Sequence, residues 1–520
     1  MGGRFCALFY CIVAAAACAF NIIIAGASED SFPFQNRNHR NAILPQPTAA
    51  QLAYQDHEIM ALIHFNMATF IGNGDPGCGP DNWIDNSSLP STFSPDSLDT
   101  DGWADTMDAL GVKSAVLTAK HGCGFAIWPT TATLPDGSPY KYHASVNVIR
   151  SFVDSMKKRG IGHGFYYSLT NNFYLNVIGM KAGHYAPPIQ GQVNVSQDEF
   201  QAIALHQLTE LWTQYGNLTE IWFDGGYNTQ MQSKLMGLLQ THQPNAVGYN
   251  GGGIVASPAR WAGTEGDMTT KNYPHGVWST YCCNKTKVNP NPNCVVAHTG
   301  ACVLNDPASP YGGAGCPATG LAEDKACDTF MPAGVDYTLQ ASDVWFWMPP
   351  PQQLRPLSEL IFQYHQSVGR NTVLELDFAI DRSGRIDPSH DALYRKFGAW
   401  IRECYGTPVA SKANGIFSRQ MWATDIDTRG KSIDRIVLME NQTQGQRVTK
   451  YRVDLITENA VQPLSNGTSI GRKRIDLFTA SVKGIVRLTV ESTAMNLPPL
   501  MRSVQVFAPC TSGEAMRQEK

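Results

Sequence analysis

Beyond residue 27 the sequence has no apolar run of the ~18 residues a membrane helix needs, so nothing there predicts a span. Positive charge is not in excess either. Lys and Arg number 40 against 44 Asp and Glu, a net charge of -4 with the signs mixed, which gives no basic stripe to follow a phosphate backbone. Nucleic acid is therefore not an expected partner. The C-x2-C spacing of a zinc site is missing despite 13 cysteines, which leaves disulfides as the reading to prefer over zinc. No internal repeat or low-complexity block is present.

What is there begins with Arg4, an apolar stretch FCALFYCIVAAAACAF and a small-residue site at Ala25-Gly26-Ala27. This is the layout of a secretory signal peptide over residues 1–27, cut before Ser28, and it predicts a secreted protein. The rest of the 520 residues exceeds what one hydrophobic core usually serves, so two domains are expected. Ten cysteines remain after the leader, and six of them crowd into 282–327, a Gly/Pro/Asn-rich stretch that reads as a stapled insertion over 281–330. Sequons at Asn86, Asn194, Asn217, Asn284, Asn441 and Asn466 fit a glycosylated exported protein.

Short runs rich in β-branched and aromatic residues recur to about residue 380: IMALIHF (59–65), SAVLTAK (114–120), GIGHGFYYS (160–168), EIWFDG (220–225), NAVGYN (245–250), DVWFWM (343–348) and NTVLELDF (371–378), with an eighth near RWAGTE (260–265). Several are separated by helical patterns such as SFVDSMKKRG and DEFQAIALHQLTELWTQYG. Strands alternating with helices predict a parallel sheet buried on both faces. Eight strands favour a (β/α)8-like barrel over residues 28–405, with a doubly wound open sheet as the alternative. From 406 to 520 the pattern changes to alternating runs such as QRVTKYRVDLI and GIVRLTVEST, which predict an all-β sandwich.

In such a barrel the chemistry collects where strands end. The run ends supply His64, Asn66, Lys120, His121, Tyr166, Tyr167, Asp224, Asn250, Glu265 and Trp347. Carboxylates, histidines and aromatic rings together suit a sugar, whose hydroxyls need hydrogen-bond partners and whose C–H faces pack on rings. Asp224 and Glu265 could share the work of cleaving an acetal, one meeting positive charge at the anomeric carbon and the other protonating the leaving oxygen. Taken singly, an Asp before Gly-Gly is also a common turn former, and a buried His, Tyr or Trp is also a common core residue.

Several segments resemble glycoside hydrolase family 29, the α-L-fucosidases: HEIMALIHFN, FSPDSLDTDGWADTMDALGVKSAVLTAKHGCGFAIWPT, LTELWTQYGNLTEIWFDGG, ARWAGTEGD, WFWM and SVGRN. ARWAGTEGD is similar to the acid/base segment of the subgroup that includes plant enzymes acting on α-1,3 and α-1,4 linkages. QRVTKYRVD, SIGRKRIDLF and RSVQVF resemble the galactose-binding-like sandwich that follows such barrels. The resemblance implies a retaining exo-hydrolase that removes terminal fucose from oligosaccharides or glycoproteins. Asp224 would be the nucleophile and Glu265 the acid/base, with His64, Trp83, His121, Tyr167, Arg260 and Trp347 in the sugar pocket. It implies no metal and no organic cofactor.

The chain also departs from the family pattern. Lys120-His121-Gly122-Cys123-Gly124-Phe125 stands where the family usually reads K-H-H-D-G-F, Asn82 replaces the usual glutamate before Trp83, and Met348 replaces a histidine after WFW. These changes leave open another sugar, such as an α-L-galactoside, and a non-catalytic glycan-binding role. A fucosyl-transferring enzyme is a further alternative. Cys123 is a candidate partner for Cys78, both lying in rim loops.

Overall fold

The computed structural model describes residues 44–71, 78–79, 89–262, 277–282, 295–296, 302–303, 327–349, 351–418 and 421–510. The expected leader, Trp83, Glu265 and most of the Cys-rich insertion lie outside the described residues.

Eight parallel strands close into a barrel in sequence order: β1 (Ile59–His64), β2 (Ser114–Lys120), β3 (Gly162–Tyr167), β4 (Glu220–Trp222), β5 (Val247–Tyr249), β6 (Ser257–Trp261), β7 (Ala333–Tyr337) and β8 (Thr372–Ala379). The seam between β8 and β1 runs in unbroken register from Ile59↔Leu374 to His64↔Ala379. Side chains divide by the period of two that strand geometry dictates. Leu117, Phe165, Ile221, Leu374, Leu376 and Phe378 face outward into the large core shared with the helices. Met60, Leu62, Val116, Tyr166, Trp222, Val247, Tyr249 and Val373 fill the interior.

Helix α1 (Ala49–His57), started by a Thr48–Gln51 capping box, precedes β1, and its Gln51 Nε2 donates to the carbonyls of Pro258 and Phe330. Five helices flank the strands: α2 (Thr100–Leu110), α3 (Val148–Arg159), α4 (Gln197–Gln214), α5 (Gln232–His242) and α6 (Leu357–Gln366). The last barrel helix, α7 (Pro388–Tyr405), follows β8. Their ends carry the expected signals, with Asp99 and Asn147 as N-caps and a Ser196–Glu199 capping box opening α4.

One expected strand moved. DVWFWM is not a strand: β7 is AGVDY at Ala333–Tyr337, and Trp345 and Phe346 sit in the loop that follows it. Aromatic richness there marks burial in the barrel mouth, where both rings pack near His64, and not extended pairing. The strand expected near RWAGTE is β6, Ser257–Trp261, which takes in Arg260 and Trp261 of that stretch.

After α7 the chain forms two antiparallel sheets. Their strands are β9 (Ala410–Lys412), β10 (Ile416–Ser418), β11 (Met421–Asp427), β12 (Ile433–Glu440), β13 (Val448–Ile456), β14 (Val461–Gly467), β15 (Arg474–Val482), β16 (Ile485–Thr493) and β17 (Met501–Phe507). The sheet orders are β9-β17-β12-β15 and β10-β11-β16-β13-β14, and Tyr451, Val453, Phe478, Leu488 and Val504 are among the residues of the core they share. The sandwich grips the barrel at the N-terminal ends of β1 and β8. Lys473 pairs with Glu58 at 2.7 Å, Arg472 pairs with Asp56, and the backbone N–H of Arg472 donates to Asn371 Oδ1 at 2.6 Å. A Cys404–Cys510 disulfide ties the end of α7 to the segment after β17. The described sequon residues Asn194, Asn217, Asn441 and Asn466 are all exposed.

Candidate active site

The opposite end of the barrel, where the strands terminate, holds the candidate site. β4 stops at Trp222, and a turn closed by Gly226 N–H donating to Phe223 O carries Asp224 out of the wall. Gly225 and Gly226 adopt φ of +69° and +80°, which a side chain would resist, and a Cβ on Gly225 would also press on Thr170 Oγ1 at 2.8 Å. The Gly-Gly pair therefore makes the turn that presents the carboxylate. Asp224 is half-buried; Tyr166 Oη donates to its Oδ2 at 2.6 Å and Thr170 Oγ1 donates to its carbonyl at 2.8 Å.

Around it the mouth is built from rings and carboxylates. His64, at the end of β1, is buried with Nδ1 2.7 Å from Asp377 Oδ1, a contact that fixes its tautomer and orientation. His121 stacks on Tyr166 with centroids 5.6 Å apart and meets Phe346 edge-on at 4.9 Å. Trp345 lies 5.1 Å from the His64 ring. Trp261 Nε1 donates to Asp336 Oδ1 at 2.6 Å. Lys120 has a scaffolding part: its ammonium donates to the carbonyls of Ser168 and Asn171 at 2.5 and 2.8 Å, and burial pulls its pKa down to about 7. Asn66 is committed as well, its Nδ2 donating to the carbonyls of Thr118 and Phe125. The rim pairing of Cys78 with Cys123 is formed, with Cα atoms 5.1 Å apart. Among the described residues no group of three or more His, Cys, Asp or Glu is placed to hold a metal ion.

The structure thus brings Asp224, His64 and His121 together and separates other expected members. Tyr167 points outward, where its hydroxyl donates to Gln207 Oε1 of α4 at 2.6 Å, and Tyr166 takes the inward position. The reason is parity: one residue along a strand changes the face. Arg260 is displaced by the same rule, its guanidinium donating to Trp278 O at 2.5 Å while Trp261 packs against the interior cluster. Trp347 is half-buried and its Nε1 reaches Asp387 Oδ2, beside the start of α7, at 3.3 Å. Sequence reasoning missed Asp377 and Glu375, although NTVLELDF sets both carboxylates against Leu374, Leu376 and Phe378 with the period of a strand.

The family sequence model described as Alpha-L-fucosidase matches residues 81–406. This chain belongs to the alpha-L-fucosidase family. The "Putative alpha-L-fucosidase 1" of Oryza sativa subsp. japonica is 25% identical over 503 residues, covering 89% of this chain and 85% of that protein. Alpha-L-fucosidase 1 of Arabidopsis thaliana is 25% identical over 383 residues, 72% of this chain and 64% of that one. The crystal structure of a glycoside hydrolase 29 family member from an unknown rumen bacterium matches with a TM-score of 0.67 at 25% identity, over 92% of this chain and 80% of the other. This alpha-L-fucosidase family member is a glycoside hydrolase, and its barrel followed by antiparallel sheets matches that solved structure.

Proposed function

We propose that the chain is a secreted, retaining exo-α-L-fucosidase acting on 1,3- or 1,4-linked terminal fucose of oligosaccharides or glycoprotein glycans. The observation that carries this reading is Asp224, a half-buried carboxylate presented at the end of β4 and held by the Tyr166 hydroxyl at 2.6 Å. In the proposed first step an Asp224 oxygen bonds to the anomeric carbon as the glycosidic C–O bond breaks, and Glu265 gives its proton to the departing oxygen. Water then attacks the same carbon, Glu265 takes its proton, and the ester to Asp224 breaks. Retention requires the two carboxyls to stand about 5–5.5 Å apart. His64, oriented by Asp377, and His121 supply polar atoms for sugar hydroxyls, and Trp83, in the rim stretch, belongs to the same proposed pocket.

The test is hydrolysis of 4-nitrophenyl α-L-fucoside and of a Lewis-type 1,3/1,4-fucosylated oligosaccharide by the secreted protein, beside its Asp224→Ala and Glu265→Ala variants. Fucose release that vanishes with Asp224→Ala supports the reading, and NMR of the first-formed anomer decides retention. A second reading, an α-L-galactosidase, is favoured by one feature: Cys123, bonded to Cys78, occupies the rim where the family pattern has a polar residue. Faster hydrolysis of the galactoside than of the fucoside would establish it. A folded protein that turns over neither substrate would leave the glycan-binding role.

A further inference from the structure

Beneath the mouth the barrel interior contains two carboxyls that the proposed reaction does not use. Glu220 opens β4 and Glu375 lies in the middle of β8; both are almost fully buried. Room for Glu375 is made by glycine. A Cβ on Gly334 of β7 would collide with the Tyr54 hydroxyl and with the Glu375 carboxyl. A buried glycine that leaves room for an acidic group points to a built feature, since an apolar layer would fill the same space without the cost of desolvating carboxyls.

The feature has a direction. Glu375 accepts two hydrogen bonds, one per oxygen: Tyr54 Oη to Oε1 at 2.8 Å and Trp222 Nε1 to Oε2 at 2.8 Å. Burial pushes both carboxyls up, Glu375 to about 7 and Glu220 further with the neighbouring Glu375 adding to it, so the pair keeps a proton, and the two donors that face Glu375 make it the acceptor. The Trp222 ring held in this way is the middle of a stack across three strands, 5.2 Å from Tyr166 at 20° and 4.8 Å from Tyr249 at 10°. Tyr166 in turn donates to Asp224. A rotation of the indole about β4 would tilt the phenol lying on it, because stacked rings in a close-packed layer cannot move singly.

We propose that Glu375 is a positioning residue: by anchoring Trp222 Nε1 it fixes the stack on which Tyr166 lies, and so holds the Tyr166 hydroxyl on Asp224. This rests on Asp224 being the nucleophile. The carboxylate is the lowest member of a chain that runs Glu375, Trp222, Tyr166, Asp224, and its effect on turnover passes through the Tyr166 hydrogen bond.

A double-mutant cycle on 4-nitrophenyl α-L-fucoside hydrolysis tests it, with Glu375→Gln, Glu375→Leu, Tyr166→Phe and the combinations. Glu375→Leu, which leaves Trp222 Nε1 without an acceptor, is expected to lower kcat about tenfold or more, with KM falling in step so that kcat/KM changes far less, the same signature as loss of the Tyr166 hydroxyl. Glu375→Gln, which keeps one acceptor oxygen, should recover part of that loss. In the Tyr166→Phe background neither substitution should lower kcat further, because the link through which they act is already gone. Should Glu375→Leu fail to fold, the Glu375→Gln cycle carries the same test. Additive losses, or a folded Glu375→Leu protein with the wild-type kcat, would overturn the proposal. Asp224→Ala separates the two layers of inference. If that variant still turns over, the nucleophile assignment has failed; if it is inactive while the Glu375 variants match wild type, only the positioning role has failed.

Discussion

Replacing Tyr166 by Phe removes one oxygen and leaves the ring stacked on Trp222. The bond lost is short, 2.6 Å, and runs to a carboxylate, so it belongs to the class worth about 1.5–3 kcal/mol, or roughly 10- to 150-fold in rate if lost entirely in a transition state. The direction of charge flow decides where this appears. As Asp224 attacks the anomeric carbon it gives up negative charge, and a hydrogen bond to it weakens toward the transition state. Its removal then hurts the first step little. When the ester breaks, Asp224 regains charge and the bond strengthens, so its absence slows the second step by most of the full factor. Tyr166→Phe should therefore accumulate the glycosyl-enzyme. Rapid mixing with 4-nitrophenyl α-L-fucoside should release about one equivalent of nitrophenol in a burst, followed by a slow steady state in which kcat and KM fall together. A steady state without a burst, with kcat/KM reduced as much as kcat, would refute this account.

Three further outcomes follow from features away from Asp224. The Cys404–Cys510 bond closes a loop with a sequence separation of 106 that contains the whole sandwich, so its removal by paired Cys→Ala substitution should cost up to about 4.7 kcal/mol in denaturant unfolding while kcat at 25 °C stays unchanged. Burial raises the Glu440 carboxyl to about 7, above the ordinary 4.5 and against the opposing pull of three backbone N–H donors from Val448, Arg447 and Gly471. The folded state then keeps a proton that the unfolded chain releases, so this group's stabilisation is complete below about pH 4.5 and is lost as pH rises through 7, on the order of 3 kcal/mol. Melting temperature should fall over that window and fall less in Glu440→Gln. Tyr167→Phe should leave KM for the fucoside unchanged and reduce stability by about 1–3 kcal/mol, because its hydroxyl serves Gln207 of α4; a large rise in KM would return Tyr167 to the pocket.

The barrel was legible because most of its strands are apolar on both faces and several are separated by well-capped helices. β7 was hidden for a physical reason: its inward positions are Gly334 and Asp336, which break the apolar run that marks the other strands, while the aromatic loop Trp345–Trp347 imitates one. At the site, Asp224, His64 and His121 could be read from strand ends. Tyr166 against Tyr167 and Trp261 against Arg260 could not, since each choice is a matter of which neighbour faces inward, and that parity is set by the register of the closed sheet. Glu375 and Asp377 were separable from solvent-facing carboxylates only by knowing that β8 is covered on its other face by the helices. Glu265 carries its assignment from the sequence pattern ARWAGTEGD alone.

The Cys78–Cys123 bond makes the wall beside His121 a property of the compartment in which the chain matures as well as of its sequence. Chain produced in a reducing cytosol would carry two thiols at that rim, with Cys123 no longer tethered to the loop bearing Cys78, while the barrel strands below stay paired. Two preparations of identical sequence, one exported and one cytosolic, are then two different reagents. A sugar preference measured on one does not transfer to the other until the thiols of each have been counted.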